Sequence, residues 1–366
     1  MRIDEHDSLY KMAVSNIEKD IVASNYSPGQ RYCSMRKIAK KNGVSMITAI
    51  RAVKELQNKG ILQSVKRQGL FVSEVPQIKP LNIHYLLRRD TAHLSINPFH
   101  SEIMAGARQQ LQEAQIRESN FHLSPYNAFS NNLEQEIEAL VKPHPNSMII
   151  LAGRLSADVP QILSKLKLPF VMTGYYSHSP GLKLIKSDTF NGGKMIVEHL
   201  CKLGHKKMLY LHRRVSDQIN TTDERLEGTE LAASKSNVRI DIKELPGMDF
   251  EDGLAATTAL IPFIKKNKIT AVICFNDDTA AGAIHALSKS KLKIPEDISV
   301  TGYDDFPIAR QIYPPLTTIK VNRFAMGKIA ARTLLDFNNG RETAFSMDVL
   351  PETLVERESA GSAPQA

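Results

Sequence analysis

The sequence predicts a multidomain α/β protein: a small helical head that ends in a hairpin, followed by a larger strand–helix domain. Three observations carry this. At 366 residues the chain is too long for one ordinary compact domain. Up to about residue 60 its apolar residues recur at helical spacing, whereas from Leu81 short apolar runs alternate with helical patterns. The charge is also unevenly placed. Residues 1–75 hold 13 Lys+Arg against 7 Asp+Glu, and the rest of the chain is nearly balanced, at 34 against 32. Within 31–67, ten basic residues face the single acid Glu55. Such a segment attracts a polyanion, as phosphate-backbone binding requires, although a solvated basic surface has the same composition.

In the head, Leu9, Met12, Ala13, Ile17, Ile21 and Val22 predict an amphipathic helix over about 7–24, which Ser27-Pro28-Gly29 ends. Ser34 is placed to cap a short second helix, whose apolar residues are Ile38, Ala39 and Val44 and which closes near Asn42-Gly43. Ser45 caps a third helix running to about Lys59, with Ile47, Ile50, Val53 and Leu56 on its apolar face and Gly60 after it. Two short strands, 61–64 and 69–72, then flank the basic tip Val65-Lys66-Arg67-Gln68. Two helices joined by a tight Gly-containing turn and followed by a basic hairpin describe a winged helix-turn-helix.

The run SPGQRYCSMRKIAKKNGVSMITAIRAVKELQNKGILQSVKRQGLFV resembles the DNA-binding domain of the GntR family, without a gap over about residues 5–75. The resemblance implies that the helix after Ser45 enters the major groove, that Arg36 grips phosphate or a base edge, and that the wing around Gly69 reaches the neighbouring minor groove. Ser34, Arg36, Ser45, Met46, Thr48, Arg51, Lys66, Arg67 and Gly69 are the DNA-contact candidates it gives. Arg36, Ser45, Thr48 and Gly69 hold family positions. Met46 and Ile50 replace two arginines of the family's recognition helix, and Arg67 replaces the first wing glycine. That removes the usual bidentate donors to guanine. Arg51 is one position away, Ile50 is expected in the core, and Met46 either meets a thymine methyl or lies at the groove edge.

Residues 73–82, with Pro76 and Pro80, have no period and are expected to form an extended connector, with the linker proper at 76–82. Beyond it, strands are expected at 83–87, 147–151, 170–173, 207–211, 271–275 and 299–303. Helices are expected at about 100–116, 158–166, 191–203, 223–236, 251–267 and 277–290. A return near 183–186, the stretch 317–320 and a final helix over 324–337 complete the domain. In sheets of this kind ligands lie beyond the carboxyl ends of the strands, so the loops there matter most.

Those loops carry a second resemblance. NPFHSEIMAGA, GGKMIVEHLCKLGHKKMLYL, RLEGTELA, AVICFNDDTAAGAIHAL, IPEDISVTGYDDFPIARQIYPPLTTI and MGKIAARTLL resemble, in order, the effector domain of the LacI family. The resemblance implies a two-lobed, periplasmic-binding-protein-like α/β domain over 83–358, a small sugar-like effector clamped between the lobes, and a homodimer. Residues 359–366 are expected to be a disordered tail. The effector candidates are Phe99, His100, Tyr175, Arg225, Asn276, Asp304 and Arg323. Sugar hydroxyls both donate and accept, so an arginine fork, a carboxylate and an amide suit them, and an aromatic face covers the apolar side of the ring. Singly, Asn276 and Asp304 read as well as helix caps or turn formers as they do as ligands, and together with Arg225, at matching ends of strands, they favour the pocket reading. Arg323 stands where relatives often carry a ring and favours a carboxylate or phosphate on the ligand. Gly174 stands where an aspartate or asparagine is common, a space that Tyr175 or Tyr176 could fill. His100 either faces the cleft or is a partly exposed residue at a helix start.

Other function classes fit less well. No P-loop, G-x-S-x-G or H-E-x-x-H pattern appears, so no enzymatic role is expected. Asp277 and Asp278 lie at a helix start, where acids are favoured without a metal, and neither metal nor cofactor is expected. A transport protein would lack the DNA-binding head, and a GntR-type regulator with a different sensor would lack the strand–helix alternation. No apolar run reaches the ~18 residues of a membrane span. The three scattered cysteines suit a reducing cytoplasm.

Overall fold

The computed structural model describes residues 5–24, 26–27, 29–58, 61–65, 68–73, 81–88, 98–127, 129–153, 158–174, 181–213, 223–341 and 346–365. The chain divides into two compact units, Met1–Pro80 and Leu81–Ala366.

The first unit has three helices, α1 (Glu5–Ala23), α2 (Met35–Asn42) and α3 (Met46–Asn58), and a hairpin of β1 (Leu62–Val65) with β2 (Gly69–Val72). Ala13, Ile17, Ile38, Val53, Leu56 and Leu62 belong to its core. Gly43 ends α2 in the left-handed conformation (φ 62°), so the turn into α3 is tight. A polar clamp sets α2 against α1: Asp20 accepts from the Tyr32 hydroxyl at 2.7 Å and from the Lys41 ammonium at 2.5 Å. These bonds hold the Asp20 carboxyl below its ordinary range. One expectation fails here. Ile47 and Ile50 do not join the core but are 80% and 48% exposed, and Ala49, Ala52, Val53 and Leu56 form the buried stripe. A helical stripe admits only one set of i, i+3, i+4, i+7 positions, and the alanines belong to the set that faces α1.

The second unit has two parallel sheets. In strand order, the six-stranded sheet comprises β13 (Ser346–Leu350), β7 (Lys183–Ser187), β6 (Phe170–Thr173), β5 (Ser147–Ala152), β3 (Asn82–Arg88) and β4 (Phe121–Tyr126). The four-stranded sheet comprises β11 (Ser299–Thr301), β10 (Ala271–Cys274), β8 (Lys207–His212) and β9 (Arg239–Glu244). Central strands β3, β5, β6 and β10 are buried almost throughout, as helices on both faces demand. Strands β4, β9 and β13 were not expected from the sequence. All three are sheet edges, where polar residues and a proline such as Pro125 are tolerated and the apolar run is lost.

The first lobe carries helices α4 (Pro98–Glu113), α5 (Leu133–Val141) and α6 (Val159–Lys165). The second carries α7 (Thr189–Lys202), α8 (Asp223–Ser236), α9 (Phe250–Asn267), α10 (Asp277–Lys289) and the short α11 (Ile308–Gln311). The chain crosses between the lobes three times. It passes from β7 into α7, from β12 (Thr318–Lys320) into α12 (Arg323–Asn338), which packs on α4, and from β13 into β14 (Thr353–Val355). Strands β12 and β14 pair antiparallel.

Two boundaries need correction. Leu81 is buried and Asn82 opens β3, so these two residues belong to the domain rather than to the linker. Residues 76–80 lie outside the described residues. The end of the chain is ordered rather than a disordered tail. The buried Ser359 hydroxyl donates to the Val300 carbonyl at 2.6 Å, Gly361 N–H donates to Ser299 Oγ at 3.1 Å, and Ala363 N–H donates to the Leu203 carbonyl at 2.8 Å. Buried polar groups of the second lobe need these partners, and composition alone does not reveal that need.

Among the described residues, no helix is long and apolar enough to cross a membrane, and no His, Cys, Asp and Glu group is arranged to hold a metal ion.

Candidate functional site

In the head, Ser34 caps α2, accepting from Lys37 N–H at 3.4 Å. Ser45 caps α3, accepting from Thr48 N–H at 3.1 Å, with the two hydroxyls 2.8 Å apart. Thr48 is buried, so its hydroxyl serves this cap rather than an exposed surface. Arg36, Lys37 and Lys40 on α2 are exposed, as are Met46, Ile47, Ile50, Arg51 and Lys54 on α3. The Arg51 guanidinium lies 4.1 Å over the Tyr10 ring. In the hairpin Val65 pairs with Gly69, whose φ of 114° suits a residue without a Cβ; a methyl there would sit 3.3 Å from Arg31 Nε. Lys66 and Arg67 lie outside the described residues.

In the second unit, Phe99, His100, Arg225, Asn276, Asp304 and Arg323 stand beyond the carboxyl ends of strands from both sheets or on helices entered from them. Tyr175 lies outside the described residues. The tightest grouping joins α4, α12 and the loop after β11. Arg323, whose side chain is fully buried, donates through Nη2 to Asp304 Oδ1 and through Nη1 to the Asp304 carbonyl at 3.1 Å. Its guanidinium lies 5.3 Å from the Phe99 ring and 4.8 Å from the Phe306 ring, with Glu102 Oε2 at 3.9 Å from Nη1. Arg323 therefore already has a carboxylate partner, which weakens its expected pull on an anionic ligand. Asp304 holds its loop at φ 109°, a conformation that costs a side-chain-bearing residue energy and that the Arg323 bonds help to hold. Burial raises the Asp304 carboxyl above its ordinary range, against the pull of Arg323 and Arg225.

His100 is buried, and its Nδ1 is 2.9 Å from the Tyr85 hydroxyl. Burial, and then the charge of Arg323, push its pKa down to about 4, so the ring is neutral at ordinary pH. Gly153, after β5, lets the backbone approach that ring: a Cβ there would be 2.6 Å from His100 Cε1. Arg225, at the start of α8, donates through Nη1 to the Phe275 carbonyl at 2.6 Å, and its guanidinium lies 3.4 Å over the Tyr303 ring. Asn276 acts as the cap of α10. Its Oδ1 accepts from Thr279 N–H at 2.9 Å and its Nδ2 donates to the Met248 carbonyl at 2.8 Å. Asp277 accepts from the Phe306 N–H at 2.7 Å and from the Thr318 hydroxyl at 2.6 Å, tying α10 to the loop after β11 and to β12.

Sequence reasoning missed Glu102, Phe306 and Glu352. Glu102 lies one turn beyond Phe99, and Phe306 directly follows the Gly-Tyr-Asp-Asp run, so helical spacing and adjacency to the motif were signals for both. Glu352, in the third crossing, is buried and accepts from the Tyr303 hydroxyl through Oε2. No pattern in the sequence marks it.

Residues 9–72 match the model of the bacterial regulatory proteins of the gntR family, and residues 197–360 match a periplasmic binding protein-like domain. The ribose operon repressor of Haemophilus influenzae is 29% identical over 267 residues, which cover 72% of this chain and 77% of the repressor. The arabinose metabolism transcriptional repressor of Geobacillus stearothermophilus is 25% identical over 346 residues, 92% and 93% of the two chains. A lac repressor dimer bound to operator and the anti-inducer ONPF has the same fold, with a TM-score of 0.64 at 22% identity over 77% of this chain and 94% of that one. This chain thus joins a head that matches the gntR regulatory proteins to a domain that matches the periplasmic binding protein-like family.

Proposed function

We propose that this protein represses genes for the uptake or breakdown of a carbohydrate, binding operator DNA as a homodimer in the cytoplasm and releasing it when a neutral sugar enters the interlobe cleft. The observation that carries the sugar reading is the grouping of Arg323, Asp304, Phe99, Phe306 and Arg225 at the strand ends, where hydrogen-bonding groups of both kinds lie beside aromatic faces. A polyol needs that mixture. The Arg323–Asp304 pairing favours a neutral ligand over a sugar acid or sugar phosphate, because an anion would have to compete with a carboxylate already in place. The names of the ribose and arabinose repressors point the same way. On this reading Arg36 and Met46 face DNA, Ser45 caps the helix that enters the groove, Arg51 packs on Tyr10, and Phe99, Arg225 and Asp304 face the effector.

The test is a thermal-shift screen of the full-length protein with pentoses, hexoses, disaccharides and sugar acids, followed by gel shift with the stabilising compound. A neutral sugar is expected to raise the melting temperature and release DNA. Phe99→Ala is expected to weaken that sugar about tenfold, through loss of one aromatic contact of ~1.4 kcal/mol, while leaving DNA binding intact. Stabilisation by sugar acids or phosphates alone would contradict the reading.

A further inference from the structure

The outward face of α3 is apolar where a guanine-reading helix would carry hydrogen-bond donors. Met46, Ile47 and Ile50 are 40%, 80% and 48% exposed. The spacing of 47, 50 and 54 places Ile47, Ile50 and Lys54 along one face, and Met46 lies one turn before Ile50. The helix needs none of the three for its core, which Ala49, Ala52, Val53 and Leu56 complete. Large apolar side chains left in water gain free energy when something covers them.

Several polar side chains of α3 and its cap are engaged within the head. Ser45 and Thr48 bond each other, Gln57 Nε2 donates to Ser64 Oγ at 2.7 Å, and Arg51 lies over the Tyr10 ring. Lys54 on the same helix and Arg36, Lys37 and Lys40 on α2 are exposed cations, which match a polyanion rather than an apolar protein surface. In the major groove of DNA the only apolar group on a base edge is the C5-methyl of thymine.

Resting on the DNA-binding reading above, we propose that α3 recognises its half-site through thymine methyl groups, with Met46, Ile47 and Ile50 packed on the methyls of an A·T-rich operator. The exposed lysines and Arg36 hold the phosphates and set the register. Guanine contacts from this face are secondary, because Met46, Ile47 and Ile50 carry no hydrogen-bond donor.

The experiment selects duplexes from a random pool with the full-length protein. It then replaces dT by dU in the selected half-sites, which removes only the methyl and keeps every hydrogen-bonding group. The expected result is half-sites with thymines under α3 and a three- to tenfold loss of affinity on dU replacement. The exposed-site variant Ile47→Ala should bind more weakly and should have lost most of the preference for dT over dU, a coupling that a purely structural role would not produce. Selected half-sites built on G·C pairs, with affinity within twofold after dU replacement, would overturn the proposal while leaving DNA binding intact. Recovery of no duplex at all would overturn the DNA-binding reading together with it.

Discussion

Glu352 lies in the third crossing between the lobes, buried beside Tyr303 and within the electrostatic reach of Arg225, Asp304 and Arg323. Burial pushes its carboxyl from the ordinary 4.5 up to about 7, against the opposing pull of the Tyr303 hydroxyl and Arg225. Between these two values the folded chain binds a proton that the unfolded chain releases. Its contribution to stability is therefore full below pH 4.5 and is lost as the pH rises through about 7. The shift corresponds to about 3 kcal/mol at most. Glu352→Gln keeps an acceptor for Tyr303 and removes the titration. Urea midpoints at pH 5.5 and pH 8 should accordingly differ less in the variant than in the parent, with the variant the more stable at pH 8. An unchanged pH dependence would show that Glu352 titrates normally. Residues of this kind were invisible in the sequence. Arg225, Asn276 and Asp304 could be picked out as candidates because the runs RLEGTELA, AVICFNDDTAAGAIHAL and VTGYDDF resemble the LacI-family effector domain. Glu352 becomes buried only when a distant crossing folds over α7, and Arg323 was legible as a position but not as half of an ion pair.

At the scale of elements, what the sequence revealed follows burial. Strands β3, β5, β6, β8 and β10 announce themselves as apolar runs because both of their faces are covered, whereas the edge strands β4, β9 and β13 do not. The caps of α2, α3 and α10 were readable because Ser34, Ser45 and Asn276 precede apolar periodicity. For α3 the pattern located the helix but not the side it buries, since Ile47 and Ile50 are as apolar as the residues that do face the core. The final segment offered no periodicity, yet it works as a strap. Ser359 accepts from Thr317 N–H at 2.8 Å, Val300 N–H donates to the Ser359 carbonyl at 2.8 Å, and His205 Nε2 is 3.1 Å from the Gly361 carbonyl. Ending the chain after Glu358 should cost about 2–4 kcal/mol, from several lost hydrogen bonds at ~1 kcal/mol each together with the buried groups left unpaired. Chemical denaturation of the truncated protein would measure this, and an unchanged midpoint would show that the strap contributes nothing.

Across the whole molecule, chemistry is divided along the chain. Positive charge is gathered in the head, while the larger unit is nearly neutral overall and pairs Arg323 with Asp304 and Arg357 with Asp305 in the loop after β11. Regulation requires that an effector bind two states of the protein with different affinity, and such couplings are typically worth ~1–3 kcal/mol, or about 5- to 150-fold in affinity. Three crossings between the lobes give effector binding a means of acting on the whole unit, because any change in lobe angle must pass through β12, β14 and the start of α7. The most direct test is fluorescence anisotropy of a labelled, selected duplex with the full-length protein, titrated with and without the sugar that stabilises it. The predicted result is that this sugar weakens DNA binding by roughly tenfold or more. Equal DNA affinity in the presence and absence of every stabilising sugar would contradict a repressor controlled by a carbohydrate.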